Sequence, residues 1–438
     1  MKPPVLSGFD QSAFYKYFKN TAWLLFGKIL SMLLGLIIAR YLGPSYFGEL
    51  NFAIAFTALF MALGTLGLDS FIVKELIHHP KKNYEILGTT FWMRIGVNLL
   101  LLPLCVLAYA LLYKDFFFSE TSTGILIAIC SFVYLFRSFQ VIDSYFQSQV
   151  KSKFVVQAQN ICVCFSALIK ALLMVFQFPV IYFAIALVLD ACMLAIGLLI
   201  AYRSQGQHID QWQFSCQRAQ ILFRKSWPLM LTALMITLYM QIDQVMLEPL
   251  GSKTVGIYSA AARISEAWYF IPVAIVTSVF PAIIYARQTD TNRYQKRLQN
   301  LYDLLVAISL PIAVIISLSS NFIISCLYGN QYEGAGIMLS IHIWSGVFVF
   351  LGSASGQYLV AEGYTRISFM RTALGALINI LLNIWLIPLY AGVGASIATL
   401  AAYFVASFSI LLFPKSRQQG WMMLKSLFLI SFVQKIIK

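Results

Sequence analysis

The chain of 438 residues is 60% hydrophobic and only 11% charged, with a mean hydropathy of +0.78. Soluble domains carry about a quarter of their residues as charged side chains, so this composition excludes a soluble globular protein and indicates a membrane protein. The formal net charge of +14 comes from Lys and Arg between apolar runs. It is therefore explained by membrane topology, and nucleic acid is not expected as a partner.

About twelve apolar runs have the roughly 20 residues that a membrane-spanning helix needs. They cover residues 21–41, 47–68, 86–112, 124–147, 154–176, 180–202, 227–246, 255–286, 300–327, 334–361, 367–389 and 392–413. Loops rich in Lys and Arg alternate with loops that carry few of them, and basic loops stay in the cytoplasm. The first 20 residues are too polar to resemble a cleaved signal peptide. We expect an all-α, multi-pass protein of the bacterial inner membrane, with both termini cytoplasmic.

Two short motifs recur at nearly one interval. Residues 42–48 and 250–256 both read L-G-x-x-x-x-G, and FAIALV at 183–188 resembles ASIATL at 395–400, each pair separated by about 210 residues. In each pair, the first member lies in the first six predicted spans and the second member lies at the equivalent place in the last six. The repeat therefore predicts two pseudo-symmetric six-helix lobes around a central cavity. The first glycine of each motif, Gly43 or Gly251, is expected to adopt a positive φ in a tight loop.

The predicted organisation has four parts. Residues 1–204 form the N-terminal lobe, 205–225 a cytoplasmic linker, 226–414 the C-terminal lobe, and 415–438 a basic amphipathic tail. Residues 421–438 of that tail combine apolar and basic positions, which is typical of a helix that lies in the membrane interface. A partial extra span is the alternative.

Several charged residues fall inside the apolar runs. Lys28 and Arg94 are close enough to the ends of their spans to extend toward the interface. Arg137, Lys170 and Arg263 are nearer the middle, where each would cost about 3 kcal/mol if it faced lipid. We expect these three to face water or the protein interior.

Acidic residues in the spans are candidates for ion pairing or for coupling transport to an ion. They are Asp190, Asp243 and Glu266. Glu266 follows Arg263 by one helical turn, so a structural ion pair between them is as open as a contact with cargo. For Asp243, a hydrated structural role is as open as ion coupling.

Other classes of site are not indicated. The seven cysteines are odd in number, mostly in apolar runs and without a CxxC pair, so neither a disulfide framework nor a metal site is expected. There is no GxxxxGK[ST] motif for ATP, and no soluble segment approaches the size of a catalytic domain. We expect no cofactor and no enzymatic activity, which leaves a carrier.

Four stretches carry a resemblance to a known family. They are LLFGKILSMLLGLIIARYLGPSYFGELNFAIAF at 24–56, QIDQVMLEPLGSKTVGIYSAAARISE at 241–266, LYGNQYEGAGIMLSI at 327–341 and GQYLVAEGYTRIS at 356–368. In order and spacing they resemble the Wzx flippases of polysaccharide repeat units, in the MOP superfamily that also holds the MATE multidrug exporters. The resemblance implies a MATE-like fold and movement of undecaprenyl-pyrophosphate-linked oligosaccharide to the outer leaflet, for O-antigen, capsule or another surface glycan.

The implied cargo fits the charges in the spans. A pyrophosphate and acidic sugars need cationic partners in a medium of low dielectric constant. The expected substrate-binding residues of the cavity are Lys28, Arg137, Lys170 and Arg263. The resemblance further implies contact with membrane lipids and with the polymerase and chain-length regulator of the same pathway.

Three alternatives remain open. A cation-coupled multidrug exporter of the MATE type would place acids in its cavity, whereas the first span here has Lys28 and no acid before Glu49. A lipid II flippase usually has fourteen helices, and this chain fits twelve. A polymerase or ligase would need a larger outer loop.

Overall fold

The computed structural model of the chain describes residues 11–113 and 123–431. In these ranges the chain is helical and contains no β-strand. The helices are α1 (Gln11–Gly64), α2 (Asp69–His78), α3 (Asn83–Tyr113), α4 (Thr123–Ser131), α5 (Val133–Arg137), α6 (Val141–Ser148), α7 (Lys153–Val175), α8 (Val180–Ser204), α9 (Cys216–Leu247), α10 (Ser252–Glu266), α11 (Phe270–Thr289), α12 (Thr291–Leu318), α13 (Ser320–Tyr328), α14 (Ala335–His342), α15 (Ser345–Ala361), α16 (Thr365–Phe408) and α17 (Arg417–Leu427).

Nine helical segments in the described part of the chain are long and apolar enough to cross a membrane. Two of them contain a break in the helical backbone, α1 at Gly43 and α16 at Ala391. These breaks fall between the first and second and between the eleventh and twelfth predicted spans. The eighth predicted span corresponds to α10 and α11, which a turn at residues 267–269 separates. The all-α, polytopic fold is confirmed, and the count of twelve spans stays a prediction.

The described residues form two compact units. Unit 1 contains those of Met1–Tyr41 and Phe60–Met230, and unit 2 contains those of Leu42–Leu59 and Leu231–Lys438. The part of α1 that follows the break at Gly43 therefore packs with unit 2, although most of the first half of the chain belongs to unit 1.

In unit 1, the segment between α8 and α9 is docked against the helices. The Trp212 indole N–H donates to the Tyr202 hydroxyl at 3.2 Å, and the Trp212 ring lies 5.3 Å from Phe91. The backbone N–H of Gln213 donates to the carbonyl of Tyr84. Residues 209–215 are thus held by α3 and α8.

In unit 2, α17 is held on α12 by a small polar network. Gln299 donates to the Met422 carbonyl at 3.1 Å and to the Ser426 hydroxyl at 2.7 Å, and Ser426 donates to Asp303 at 2.6 Å. Met423 is fully buried in the same core. The first part of the predicted amphipathic tail therefore packs on the protein, and residues 432–438 lie outside the described residues.

The two repeated motifs contact each other within unit 2. Gly43 and Gly251 adopt φ values of +70° and +98°, which confirms the predicted tight loops. A Cβ on Gly48 would overlap the carbonyl oxygen of Ser252 and lie 2.8 Å from the nitrogen of Gly256. A Cβ on Gly256 would overlap the carbonyl oxygen of Pro44 and lie 3.1 Å from the nitrogen of Gly48. We call this reciprocal approach of 44–48 and 252–256 the glycine contact; only glycine lets two helix backbones come so close.

Replacing Gly256 with Ala is expected to destabilise the full chain, because the added methyl group overlaps the Pro44 carbonyl. Overpacking of this kind costs about 1–3 kcal/mol. The melting temperature of the purified protein in detergent measures the effect. Gly96→Ala is the matched control, since Gly96 is also helical but an added Cβ there meets no atom within 4 Å. Equal melting temperatures for the two variants would contradict the glycine contact.

Candidate functional site

The glycine contact places residues from α1 beside Arg263 of α10. The Nη2 of Arg263 donates to the Oδ1 of Asn51 at 2.8 Å. The guanidinium also lies over the ring of Phe47, with its central carbon 4.9 Å from the ring centroid. Phe47 and Asn51 are one turn apart on α1 and flank Gly48, so the close backbone approach brings them within reach of α10.

Two tyrosines close the other side of Phe47. The Tyr332 ring meets the Phe47 ring edge to face at 6.2 Å and lies 5.1 Å from the Tyr328 ring. Burial raises the pKa of the Tyr332 phenol, and this outweighs the lowering by nearby Arg263. The phenol therefore stays neutral, and it does not cancel the charge of Arg263.

Arg263 and Glu266 do not form an ion pair in the described part of the chain, so the expected alternative of a closed pair is not observed. Glu266 lies one turn further along α10 and acts on Arg263 only through space. The guanidinium is held instead by a neutral amide and an aromatic ring. Its positive charge is oriented but not neutralised, which suits recognition of an anion.

A second polar cluster of unit 2 surrounds Asp243, whose side chain is 1% exposed. The Tyr258 hydroxyl donates to Asp243 at 2.6 Å, the Asn383 amide donates at 2.6 Å, and the Thr399 hydroxyl also donates to it. Asn379 bonds to Asn383 at 3.3 Å. The hydrated role that the sequence left open for Asp243 is wrong, because the carboxyl group is enclosed by protein donors. We call these five residues the Asp243 cluster.

The Asp243 cluster has the chemistry of a site for a proton or a small hard cation. The Oδ1 of Asn383 and the Nδ2 of Asn379 are buried and have no partner among the described residues. No cationic side chain pairs with Asp243 in the same part of the chain. Oxygen donors of this type favour hard cations. The described residues contain no group of three His, Cys, Asp or Glu side chains that could hold a metal ion.

The other predicted cations belong to unit 1. Lys170 and Asp190 are brought together, with Nζ and Oδ2 2.5 Å apart and both side chains partly buried. Arg137 is exposed and forms no ion pair with a described residue, and Lys28 is exposed near the start of its span. Their convergence with Arg263 on one cavity stays a prediction.

Arg94 does not extend to the interface as the sequence allowed. Its side chain is only 3% exposed and forms an ion pair with Asp69 at 2.6 Å. Asp69 begins α2, directly after the turn that ends α1. The carboxylate of Asp69 is thus the polar partner of Arg94, in place of the polar groups of the membrane interface.

Sequence reasoning missed several residues of these sites. Asn51 and Phe47 could have been found, since they flank the second glycine of a repeated motif. Tyr258 and Thr399 gave no signal, because hydroxyls in apolar helices commonly bond to their own backbone. Arg371 meets the criterion applied to Arg263, an arginine inside a predicted span, and should have been singled out.

Comparisons with known proteins give one family and one fold. The sequence profile of a family described as "Polysaccharide biosynthesis protein" matches residues 37–336. The "Probable flippase AglR" of Haloferax volcanii is 28% identical over 173 residues, 38% of this chain and 36% of that protein. The match thus spans about a third of that relative's length. The "Putative O-antigen transporter" of Shigella flexneri is 24% identical over 332 residues, 72% of this chain and 77% of that one.

Two solved structures share the fold. The lipid II flippase MurJ in an inward closed conformation aligns with a TM-score of 0.75 at 16% identity, over 95% of this chain and 93% of its own. A multidrug resistance MATE family transporter aligns with a TM-score of 0.67 at 13% identity, over 91% of this chain and 96% of its own. The expected MATE-like fold is confirmed, and identities this low carry no argument about cargo.

Replacing Lys170 with Met or Asp190 with Asn is expected to destabilise unit 1, because either change leaves a partly buried charge without its partner. The double replacement should recover most of the loss, with a coupling energy of about 0.5–3 kcal/mol in a double-mutant cycle. Unfolding of the four proteins in detergent measures it. Strictly additive losses would contradict a structural ion pair. A double variant that is stable but inactive would show that Lys170 also acts on cargo.

Proposed function

Because the chain belongs to the family of polysaccharide biosynthesis proteins, we propose that it is a flippase for lipid-linked oligosaccharide repeat units. In this proposal it moves an undecaprenyl-pyrophosphate-linked oligosaccharide from the cytoplasmic to the outer leaflet by alternating access. The names of two relatives, an O-antigen transporter and a glycan biosynthesis flippase, support this cargo over others.

The observation that carries the proposal is the environment of Arg263. Its guanidinium is aimed by Asn51 and Phe47, and no carboxylate in the described part of the chain neutralises it. Arg263 is partly buried. A partly buried cation without a counter-ion is unfavourable, so it persists where a ligand supplies the missing charge. A pyrophosphate or an acidic sugar supplies it, whereas a cationic drug would be repelled.

The surroundings of the transporter follow from the proposal. The protein is a multi-pass membrane protein, and the alternation of basic loops supports placement in the bacterial inner membrane with both termini cytoplasmic. Two pseudo-symmetric lobes, 1–204 and 226–414, joined by 205–225, would then enclose a central cavity lined by Lys28, Arg137, Lys170 and Arg263. The polymerase and chain-length regulator of the pathway would receive the product.

We further propose that the Asp243 cluster couples export to a cation. An enclosed carboxylate with only neutral donors gains from binding H+ or Na+, and losing that cation leaves a buried negative charge. Two conformations that differ in access to Asp243 would therefore differ in cation affinity, which is the condition for coupling. Asp190 is already paired with Lys170, and Glu266 lies nearer to Arg263, so Asp243 is the better candidate of the three predicted acids.

The alternatives are weaker. A MATE-type exporter and a lipid II flippase share the fold, but those structures are at most 16% identical to this chain. The family match and the names of the sequence relatives point to surface glycans. An unneutralised Arg263 is also the opposite of what a cationic drug requires.

Deleting the gene is expected to abolish the surface glycan while the lipid-linked unit accumulates on the cytoplasmic leaflet, and the wild-type gene on a plasmid should restore export. The gene with Arg263→Ala should restore at least about tenfold less surface glycan than the wild-type gene, because a charge-assisted contact is lost. Arg263→Lys should retain more, since it keeps the charge. Labelling of the glycan on whole cells measures all three.

Lys253→Ala is the matched control for this series, because Lys253 is an exposed cation on the same helix α10. It should export normally. Full export by Arg263→Ala would show that export does not need the charge of Arg263, even if the deletion strain loses its surface glycan as expected. Normal surface glycan in the deletion strain would refute the flippase itself.

Asp243→Asn is expected to remove a cation dependence of stability. A cation that binds the folded protein at 100 times its Kd stabilises it by about 2.7 kcal/mol. The wild-type protein should therefore melt at a higher temperature in Na+ than in choline, or at lower pH, and Asp243→Asn should respond to neither. Asp210→Asn, which changes an exposed acid of the segment between α8 and α9, is the control. A wild-type protein that is indifferent to both Na+ and pH would rule out coupling at Asp243.

A further inference from the structure

A cavity of about 330 Å³ opens in unit 2 between α9, α15 and α16. Neither Arg263 nor any residue of the Asp243 cluster lines it. Among its lining residues Arg371 is the only charged one. The site is therefore distinct from both clusters described above.

Arg371 is fixed by α15 without being neutralised. Its Nη1 donates to the Ser355 hydroxyl at 3.1 Å, and its Nη2 donates to the Gly352 carbonyl at 3.2 Å. Its Nε is buried and has no acceptor among the residues described. No carboxylate pairs with this arginine in the same part of the chain. The cavity is thus lined by an oriented guanidinium whose charge is not neutralised, and an oxyanion is the group that complements it.

Glycine provides the room for this arrangement. A Cβ on Gly356 would lie only 3.1 Å from the Nη2 of Arg371. Gly356 is one turn of α15 from Gly352, so both positions next to the Nη2 of Arg371 lack a side chain.

The rest of the wall combines hydrogen-bonding groups with flat rings. Ser353 and Gln357 line one side, and Tyr239, Phe348 and Tyr403 provide aromatic surface. Hydroxyl and amide groups match the hydroxyls of a sugar, and aromatic rings pack against the apolar face of its ring. The wall therefore suits a sugar that carries a negative group.

The cavity runs along α15 from Phe348 to Val360, and one end of it reaches the ends of α15 and α16 that flank residues 362–364. Gln357 and Val360 are in the last turns of α15, and Ser368 is in the first turn of α16. The expected topology puts this loop, with Arg366 beside it, in the cytoplasm. Lipid-linked repeat units are loaded from that side.

We propose that the cavity beside Arg371 is a subsite for an oxyanion-bearing sugar of the cargo, either a carboxylate or a phosphate on the sugar ring. Its role in loading rests on the proposed flippase function. The anion selectivity of the cavity is independent of that function and can be measured without export.

The first test compares how a cysteine in the cavity reacts with charged reagents. Gln357→Cys is introduced into the cysteine-free full chain in liposomes, and its rates with 2-sulfonatoethyl and 2-trimethylammonioethyl methanethiosulfonate are measured. The ratio of the anionic to the cationic rate should fall at least about threefold with Arg371→Gln, because a nearby unit charge is removed. Arg371→Lys should keep the ratio. Arg366→Gln, which removes an exposed charge at the same end of α16, should leave it unchanged. An unchanged ratio in Arg371→Gln overturns the proposal.

The second test needs no change at Arg371 and so does not depend on the folding of that variant. Glucuronate and glucose 1-phosphate, but not glucose, should slow modification of the reporter cysteine. Protection by only one of them assigns the anion as a carboxylate or a phosphate, and protection by both supports the shared oxyanion chemistry. Protection by neither, or equal protection by glucose, overturns the subsite.

Export in the complemented deletion strain separates this proposal from the flippase itself. Arg371→Gln should lower surface glycan several-fold while Arg366→Gln does not. Full export by Arg371→Gln overturns a role in loading. If the wild-type gene fails to restore glycan, the flippase proposal fails, and the reporter ratio still decides whether the cavity selects anions.

Discussion

The glycine contact is the constraint on which the candidate site depends. Gly48 and Gly256 let the backbones of α1 and α10 approach so closely that neither position tolerates a methyl group. The same approach sets Asn51 and Phe47 against Arg263. A helix pair held by larger side chains would be several ångströms wider, and a hydrogen bond of 2.8 Å from Arg263 to Asn51 would be lost. The close packing of the two backbones therefore also orients the charge of Arg263.

The charged residues of the apolar helices fall into two groups. Lys170 and Arg94 are matched by carboxylates, and a matched pair has little attraction left for a ligand. Arg263 and Arg371 are held by amide, hydroxyl, carbonyl and aromatic groups, which fix a cation without cancelling it. Both of these arginines are in unit 2. The difference in partners, more than depth in the helix, separates the paired charges from those that are oriented but not neutralised.

The sequence predicted what depends on local chemistry. The helical spans, the breaks near Gly43 and Ala391, and the positive φ of Gly43 and Gly251 all follow from composition and short motifs. The sequence did not identify Asp69 as the partner of Arg94, or Asn51 as that of Arg263, because such pairs depend on which helices lie opposite each other. The sequence left a hydrated role open for Asp243 for the same reason, since its donors come from α10 and α16.

The glycine contact is reciprocal, with each motif presenting the same two positions to the other, Pro44 and Gly48 on one side and Ser252 and Gly256 on the other. Contacts of this form are isologous, the kind that two identical chains make across a twofold axis. A shorter ancestor with one L-G-x-x-x-x-G motif would have met a second copy of itself in the same way. Fusion of two such copies would have preserved an existing interface and then freed its sides to diverge. Beyond this contact the two helices differ, because α10 carries the cation Arg263 and α1 carries its acceptor Asn51.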